Sequence, residues 1–155
     1  MCTWQWSSYE ELSRDDLFEI LRARQTVFVV EQKCPYQDID DLDRVSWHLM
    51  LWDEVSVGKK ELTAYSRVIP PGEKYPEPSI GRVLTLPSAR GEGKGRALIQ
   101  EAIKRTKAEF PHMPIRISAQ QYLQRFYANL GFQIVSNPYD EDGITHVEML
   151  RDETA

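Results

Sequence analysis

Apolar and polar positions alternate from residue 3 to residue 7 around Trp4 and Trp6, the period-two signature of a short half-buried strand. Ser13 then precedes Arg14-Asp15-Asp16, a capping side chain followed by acids where a helix dipole favours them. Leu17, Ile20, Leu21, Arg24 and Phe28 recur at helical spacing and predict a first helix running to about Phe28. Pro35 bars any continuation, and residues 36–44 read as an acidic loop. Residues 46–52 and 61–68 predict two strands joined as a hairpin around Gly58. Pro70, Pro71, Gly72, Pro76 and Pro78 keep the next segment out of a sheet, because proline offers no ladder N–H.

The second half repeats the alternation of strand and helix. Residues 80–86 predict a strand, and residues 87–95 form a glycine-rich turn. Leu98, Ile99, Ala102, Ile103, Thr106 and Phe110 line one face of a helix that Pro111 stops. Residues 115–119 predict a strand, and Tyr122, Leu123, Phe126, Tyr127 and Leu130 a helical stripe, with Gly131 suited to its C-terminal cap. Two last strands, 132–135 and 145–149, flank a turn at Asp142-Gly143. The order is βαββ then βαβαββ, an α/β (α+β) arrangement around a mixed sheet.

Length and composition narrow the class. The 155 residues fit one domain, residues 1–155, large enough to fold without a disulfide or a metal. A hydrophobic fraction of 41% with 28% charged residues excludes disorder as the main state. No run nears the roughly 20 apolar residues that cross a membrane. The first residues lack a basic cluster and an apolar core, so no signal peptide is expected, and Cys2 and Cys34 are expected as reduced thiols of a cytoplasmic protein.

The net charge of −5 is unevenly spread. Residues 38–54 hold six acids against Arg44, and residues 140–153 hold six against Arg151, on an otherwise mildly basic chain. Nucleic acid is a poor partner for such a chain, since it wants a basic face. The two acidic segments would suit a cationic ligand if they face it; otherwise they are solvated loops.

A strand, a glycine loop and a helix together make an anion site, because amides at a helix N-terminus point at the anion and glycines let it approach. The Walker pattern is absent, and Gly91, Gly93 and Gly95 are spaced two and two, unlike the dinucleotide fingerprint. Arg90 to Gly95 does match Arg/Gln-x-x-Gly-x-Gly/Ala, which resembles the pyrophosphate loop of coenzyme A acetyltransferases.

Further residues extend that resemblance. Arg125-Phe126-Tyr127-Ala128-Asn129-Leu130-Gly131-Phe132 looks like the second half of the GNAT N-acetyltransferase superfamily. Residues 24–36, with Asp38, Asp40 and Asp43, resemble its ElaA-type branch, as do Ile80-Gly81-Arg82-Val83 and residues 140–146. The likeness covers nearly the whole chain and departs at Tyr122, where a histidine is expected, and at Thr145, where a proline is. It implies a mostly antiparallel mixed sheet, splayed centrally between strands 80–86 and 115–119 and flanked by helices.

The resemblance also implies acetyl-CoA as co-substrate, lying in the splay, and no metal. The backbone of Val83, Leu84 and Thr85 would meet the pantetheine arm. Amides of Gly91, Glu92, Gly93, Lys94, Gly95 and Arg96 would cradle the pyrophosphate, with Arg90 or Lys94 adding charge. A primary amine would attack the thioester directly, which needs a base, carbonyl polarisation and a proton for the thiolate. Tyr127 is the expected acid, although its spacing from Leu123 and Leu130 also fits a core residue. His146, Glu31 and His48 compete as base, each equally readable as a hydrogen-bonded structural residue. His112 reads as loop, and Cys34 as a small packed thiol rather than a nucleophile.

The acceptor, a small molecule or a peptide amine, is open. Two other functions stand beside the transferase: a non-catalytic acyl-CoA-binding module, and an enzyme like the acyl-homoserine-lactone synthases.

Overall fold

The Ser13 cap forms as the sequence predicts. Ser13 Oγ accepts from the Asp16 N–H at 2.9 Å, and Asp16 Oδ2 accepts from the Ser13 N–H at 3.2 Å. This capping box opens α1, Arg14–Arg24. The computed structural model describes residues 1–155. Its other helices are α2 (Lys94–Glu109) and α3 (Gln124–Ala128). Its strands are β1 (Cys2–Ser8), β2 (Trp47–Ser56), β3 (Lys59–Ile69), β4 (Ser79–Thr85), β5 (Ile115–Gln120), β6 (Phe132–Ile134), β7 (Tyr139–Glu141) and β8 (Ile144–Arg151).

The strands form one sheet in the order β1-β2-β3-β4-β5-β8-β6, with β7 also on β8. Every pairing is antiparallel except β4 with β5, which is parallel and consists of the single pair Ser79 and Arg116. Beyond that pair the two strands part, so the sheet splays where the resemblance implied.

Alternation along β2 divides the apolar residues between the two faces of the sheet. Leu49 and Leu51 pack with Leu98, Ile99, Ala102 and Ile103 of α2. Met50 packs on the other face with Ile20 and Ala23 of α1 and with Val27 and Phe28. Each of the Leu, Ile, Val, Met and Phe side chains among them contributes roughly 1.5–3 kcal/mol on burial. Helices therefore cover both faces and leave the central splay as the opening. No helix is long and apolar enough to cross a membrane.

Four local expectations are corrected. The first helix does not end at Phe28; beyond Arg24 it widens into a π-helical turn, Gln25–Glu31, which carries Glu31 to the splay. Residues 36–44 are not simply a solvated loop: they contain a 3₁₀ turn, Asp41–Arg44, and bury Asp38 and Asp43. The stripe from Tyr122 to Leu130 is a 3₁₀ turn, Gln121–Leu123, followed by the short α3, and Tyr122 stands 76% exposed. Strand β7 was not foreseen, because Tyr139-Asp140-Glu141 has no apolar alternation to betray it.

Candidate active site

The parting of β4 and β5 opens a cleft of about 580 Å³. Arg82 to Thr85 form one wall, Ile117 to Gln120 the other, and Val27, Phe28 and Glu31 the roof. Glu141, Asp142 and His146 close one end, helped by a bond from Cys34 Sγ to the Asp142 carbonyl at 3.4 Å. In β4 the register against β3 shifts between Leu84, opposite Tyr65, and Gly81, opposite Arg67. Arg82 and Val83 have no β3 partner in this bulge, and Arg82 adopts φ 49°. A bulge of this kind re-aims backbone groups, here at the cleft.

At the other end of β4 the glycine loop leads into α2. Gly91 and Gly93 take φ 86° and 74°, conformations that glycine adopts without strain. A Cβ at Gly91, Gly93 or Gly95 would meet nothing within 4 Å, so the loop's surface is open. The first helical bond is Ala97 N–H to the Gly93 carbonyl, and the six amides of residues 91–96 have no protein acceptor. Unpaired amides at a helix start are anion donors. Gly91, Glu92, Gly93, Lys94, Gly95 and Arg96 lie beside the cleft rather than in its walls, which Arg90 alone of the loop reaches.

The loop's cations differ in availability. Lys94 Nζ turns to Asp53 Oδ2 at 2.6 Å and to Glu92 at 3.2 Å. The Cys2 thiol and Lys94 hold Asp53 at about 2, and Asp53 raises Lys94 in turn. Arg90 bonds the Glu31 carboxylate through two nitrogens, at 2.7 and 2.8 Å. That pairing holds Glu31 below the usual carboxylate range.

Tyr127 projects from α3 into the cleft and is 7% exposed. Its ring packs edge-on against Phe126 and Phe132, at 5.2 and 5.9 Å between centroids. Burial pushes the phenol up to about 12, and no protein group bonds its hydroxyl. Core packing and a hydroxyl facing the cleft thus coexist in one side chain.

His146 lies on β8 opposite Gln120. Its Nδ1 lies 2.8 Å from the Ile144 carbonyl, which can only accept, so Nδ1 carries a proton. Nε2 lies 3.2 Å from Glu141 Oε2. His48 is far from these groups in role. It is buried between the Tyr65 hydroxyl, at 2.7 Å from Nδ1, and the Asp43 carbonyl, at 2.9 Å from Nε2. His112 lies in an exposed turn.

Residues 38–43 do not line the cleft. Arg24, 0% exposed, donates to Asp38 at 2.7 Å and to Asp43 at 2.6 Å. Arg67, 2% exposed, donates to Asp40 at 2.6 and 3.0 Å and to Asp43 at 2.8 Å. Arg82 Nε adds an ion pair to Asp38 at 2.7 Å. The network fixes the 36–44 segment beneath β3 and β4 and leaves Glu141 and Asp142 as the carboxylates at the cleft end.

The sequence reading missed Arg82, Tyr36 and Cys34 as cleft residues and named Glu141 and Asp142 only as part of an acidic segment that could face a cation. All five fall in segments that carried the family likeness, so the signal lay in the segment rather than in any residue's own chemistry. No group of three His, Cys, Asp or Glu side chains is placed to hold a metal.

A splayed sheet, a β4 bulge and an open amide loop ahead of α2 make an acyltransferase fold. The sequence model of the acetyltransferase (GNAT) domain matches residues 15–152, and the chain belongs to that family. Within it the chain is ElaA-like. Protein ElaA of Escherichia coli is 38% identical over 154 residues, 98% of this chain and 97% of that one. Its crystal structure superposes with a TM-score of 0.89 over 98% of this chain and 100% of ElaA, at 37% identity. UPF0039 protein sll0451 of Synechocystis is 44% identical over 147 residues, 95% of this chain and 93% of that protein. The structure of an acyl-CoA N-acyltransferase from Pseudomonas aeruginosa matches with a TM-score of 0.91 and 37% identity, over 97% and 99% of the two chains.

Proposed function

We propose that residues 1–155 form one acetyl-CoA-dependent N-acetyltransferase domain, which moves the acetyl group to a primary amine by direct attack in a ternary complex. The carrying observation is the run of six amides, residues 91–96, without protein acceptors. It opens beside a cleft whose β4 edge is only singly paired to β5. A diphosphate calls for such donors, and an extended pantetheine arm fits a strand edge. The similar Pseudomonas aeruginosa protein is described as an acyl-CoA N-acyltransferase, which favours the same donor class.

The amides of Gly91 to Arg96 hold the diphosphate, Lys94 adds positive charge at the start of α2, and Val83, Leu84 and Thr85 align the pantetheine arm. His146 takes a proton from the acceptor's ammonium at Nε2, and Glu141 beside it draws the cation in. The amine nitrogen then bonds the acetyl carbon, and the carbonyl electrons move to oxygen, against backbone groups of the Arg82–Val83 bulge. As the carbonyl re-forms, the C–S bond breaks and sulfur leaves with the electron pair. A phenol at about 12 keeps its proton against a thiol in the usual range near 8.5. Tyr127 therefore steadies the departing thiolate by donating a hydrogen bond; His146, having passed its first proton to solvent, takes the second from the nitrogen, and solvent protonates the released thiolate.

Free thiol, followed after mixing the protein with acetyl-CoA and a panel of amines, tests this reading. Thiol release that requires an amine and matches the acetylated product is the expected result. Coenzyme A binding without turnover on any amine would make the protein a binding module.

A further inference from the structure

Antiparallel pairing turns alternate residues of a strand toward and away from its partner. The Leu86 N–H donates to the Thr63 carbonyl at 2.9 Å, and the next pair along the ladder is Ala64 with Thr85. Thr85 therefore directs its backbone N–H and carbonyl away from β3 and into the cleft. That is the edge along which an extended pantetheine arm would run.

Arg90 occupies it. Its Nε and Nη2 donate to the Thr85 carbonyl at 3.1 and 2.9 Å. The same guanidinium crosses to the roof of the cleft, where Nη1 and Nη2 donate to Glu31 Oε2 and Oε1 at 2.8 and 2.7 Å. Arg90 thus bridges the mouth of the cleft from β4 to the π-helical turn. Both side chains are partly open to water, 42% for Arg90 and 37% for Glu31, so the bridge is screened and weak. Next along the chain are the six unbonded amides of residues 91–96.

We propose that Arg90 is an intramolecular competitor for the donor's place, drawn off Thr85 and Glu31 by the diphosphate of the entering coenzyme. The proposal rests on the acetyl-CoA reading above and adds the regulation of that site. A guanidinium binds phosphate oxygens through two parallel bonds, so the diphosphate replaces what Glu31 supplied. The exchange bares the Thr85 edge for the pantetheine arm and leaves the Glu31 carboxylate facing the cleft. A cationic acceptor then finds an anion that was masked before the donor arrived, which sets an order of binding. Arg90 holds Glu31 ionised well below neutral pH, so the latch responds to ligand rather than to pH near neutrality.

Calorimetry with coenzyme A, on wild type, Glu31→Gln, Arg90→Gln and the double variant, tests the exchange. Removing Glu31's charge should tighten coenzyme A about two- to fivefold, the fold-change an exposed ion pair carries. In the Arg90→Gln background that gain should vanish. Arg90→Gln should itself weaken coenzyme A, yet tighten pantetheine, which has no phosphate, in a titration followed by NMR. No gain from Glu31→Gln overturns the proposal. So does a gain that persists without Arg90, since that is simple relief of repulsion. Either result leaves the transferase reading standing while wild type binds coenzyme A. Wild type that binds no coenzyme A removes both.

Discussion

Arg24 Nη1 donates to Asp43 Oδ1 at 2.6 Å, and neither side chain is appreciably exposed to water. Charges in such a place are held by one another, because neither has water to fall back on. Arg24→Met keeps the apolar stem and strands Asp38 and Asp43 without their shared cation. A loss of about 3–5 kcal/mol in urea unfolding is expected, as for other broken buried pairs. A loss under about 1 kcal/mol would show that Arg67 and Arg82 suffice to hold the segment.

The same network makes the fold acid-sensitive in two stages. Burial pushes the His48 imidazole below its usual range, although Asp43 pulls the other way. The unfolded chain therefore takes up a proton near pH 6.5 that the folded chain refuses, and stability falls as pH drops below about 6.5. Burial would raise Asp43 and Asp40, but bonds and charge from Arg24 and Arg67 outweigh it and hold both low. Their contribution is full above about pH 3.9 and is lost as pH falls through their lower folded values. Denaturation curves between pH 7.5 and 5 should show the first stage, and His48→Gln should flatten it.

Local signals were legible in the sequence and distant ones were not. The Ser13 cap, the glycine loop and the α2 stripe each depend on neighbours within a turn or two, so composition and spacing reveal them. Arg24 sits on the apolar face of α1 at helical spacing, yet its partners lie 14 and 19 residues away in a segment that reads as solvated acid. Only the folded chain shows that those acids are consumed. Glu31 is legible as a polar residue in a family-like segment, but its meeting with Arg90, 59 residues on, depends on the π-helical turn. Tyr127 was expected from the resemblance and His146 from its strand beside the acidic turn; the structure puts both on the cleft and adds the Ile144 carbonyl that accepts from Nδ1.

Gly93→Asp puts a carboxylate where the amides of the loop converge. The position has φ 74° and open space around a Cβ, so the change strains the backbone mildly and clashes with nothing. Coenzyme A affinity should fall below detection by calorimetry while the unfolding temperature moves by only a few degrees. Unchanged affinity would remove the diphosphate from this loop.

Glu141 and Asp142 are the carboxylates at the closed end of the cleft, since Asp38, Asp40 and Asp43 are held by arginines. An acceptor with a second positive charge should gain from them, and the gain should shrink as salt screens it over about 8 Å at physiological ionic strength. Asp142→Asn should raise KM for a diamine more than for a monoamine of equal length, with kcat little changed. Equal effects on both acceptors at low salt would assign Asp142 to the turn alone.

Tyr127→Phe removes one oxygen and leaves the ring between Phe126 and Phe132. The hydroxyl bonds to no protein group and faces the cleft, so its removal should leave stability nearly unchanged. Turnover should fall by roughly 10²-fold if the hydroxyl steadies the departing thiolate. Acetyl-CoA affinity should change little, because the loop amides supply it. With its phenol pushed up to about 12, Tyr127 stays protonated through the assay range, so wild type should show no loss of kcat on the alkaline side that the variant abolishes. The measurement is kcat against pH for both proteins, with thermal unfolding beside it. Unchanged stability together with a large fall in kcat marks a hydroxyl kept for chemistry rather than for packing. Equal kcat at every pH, at equal stability, would return Tyr127 to the core.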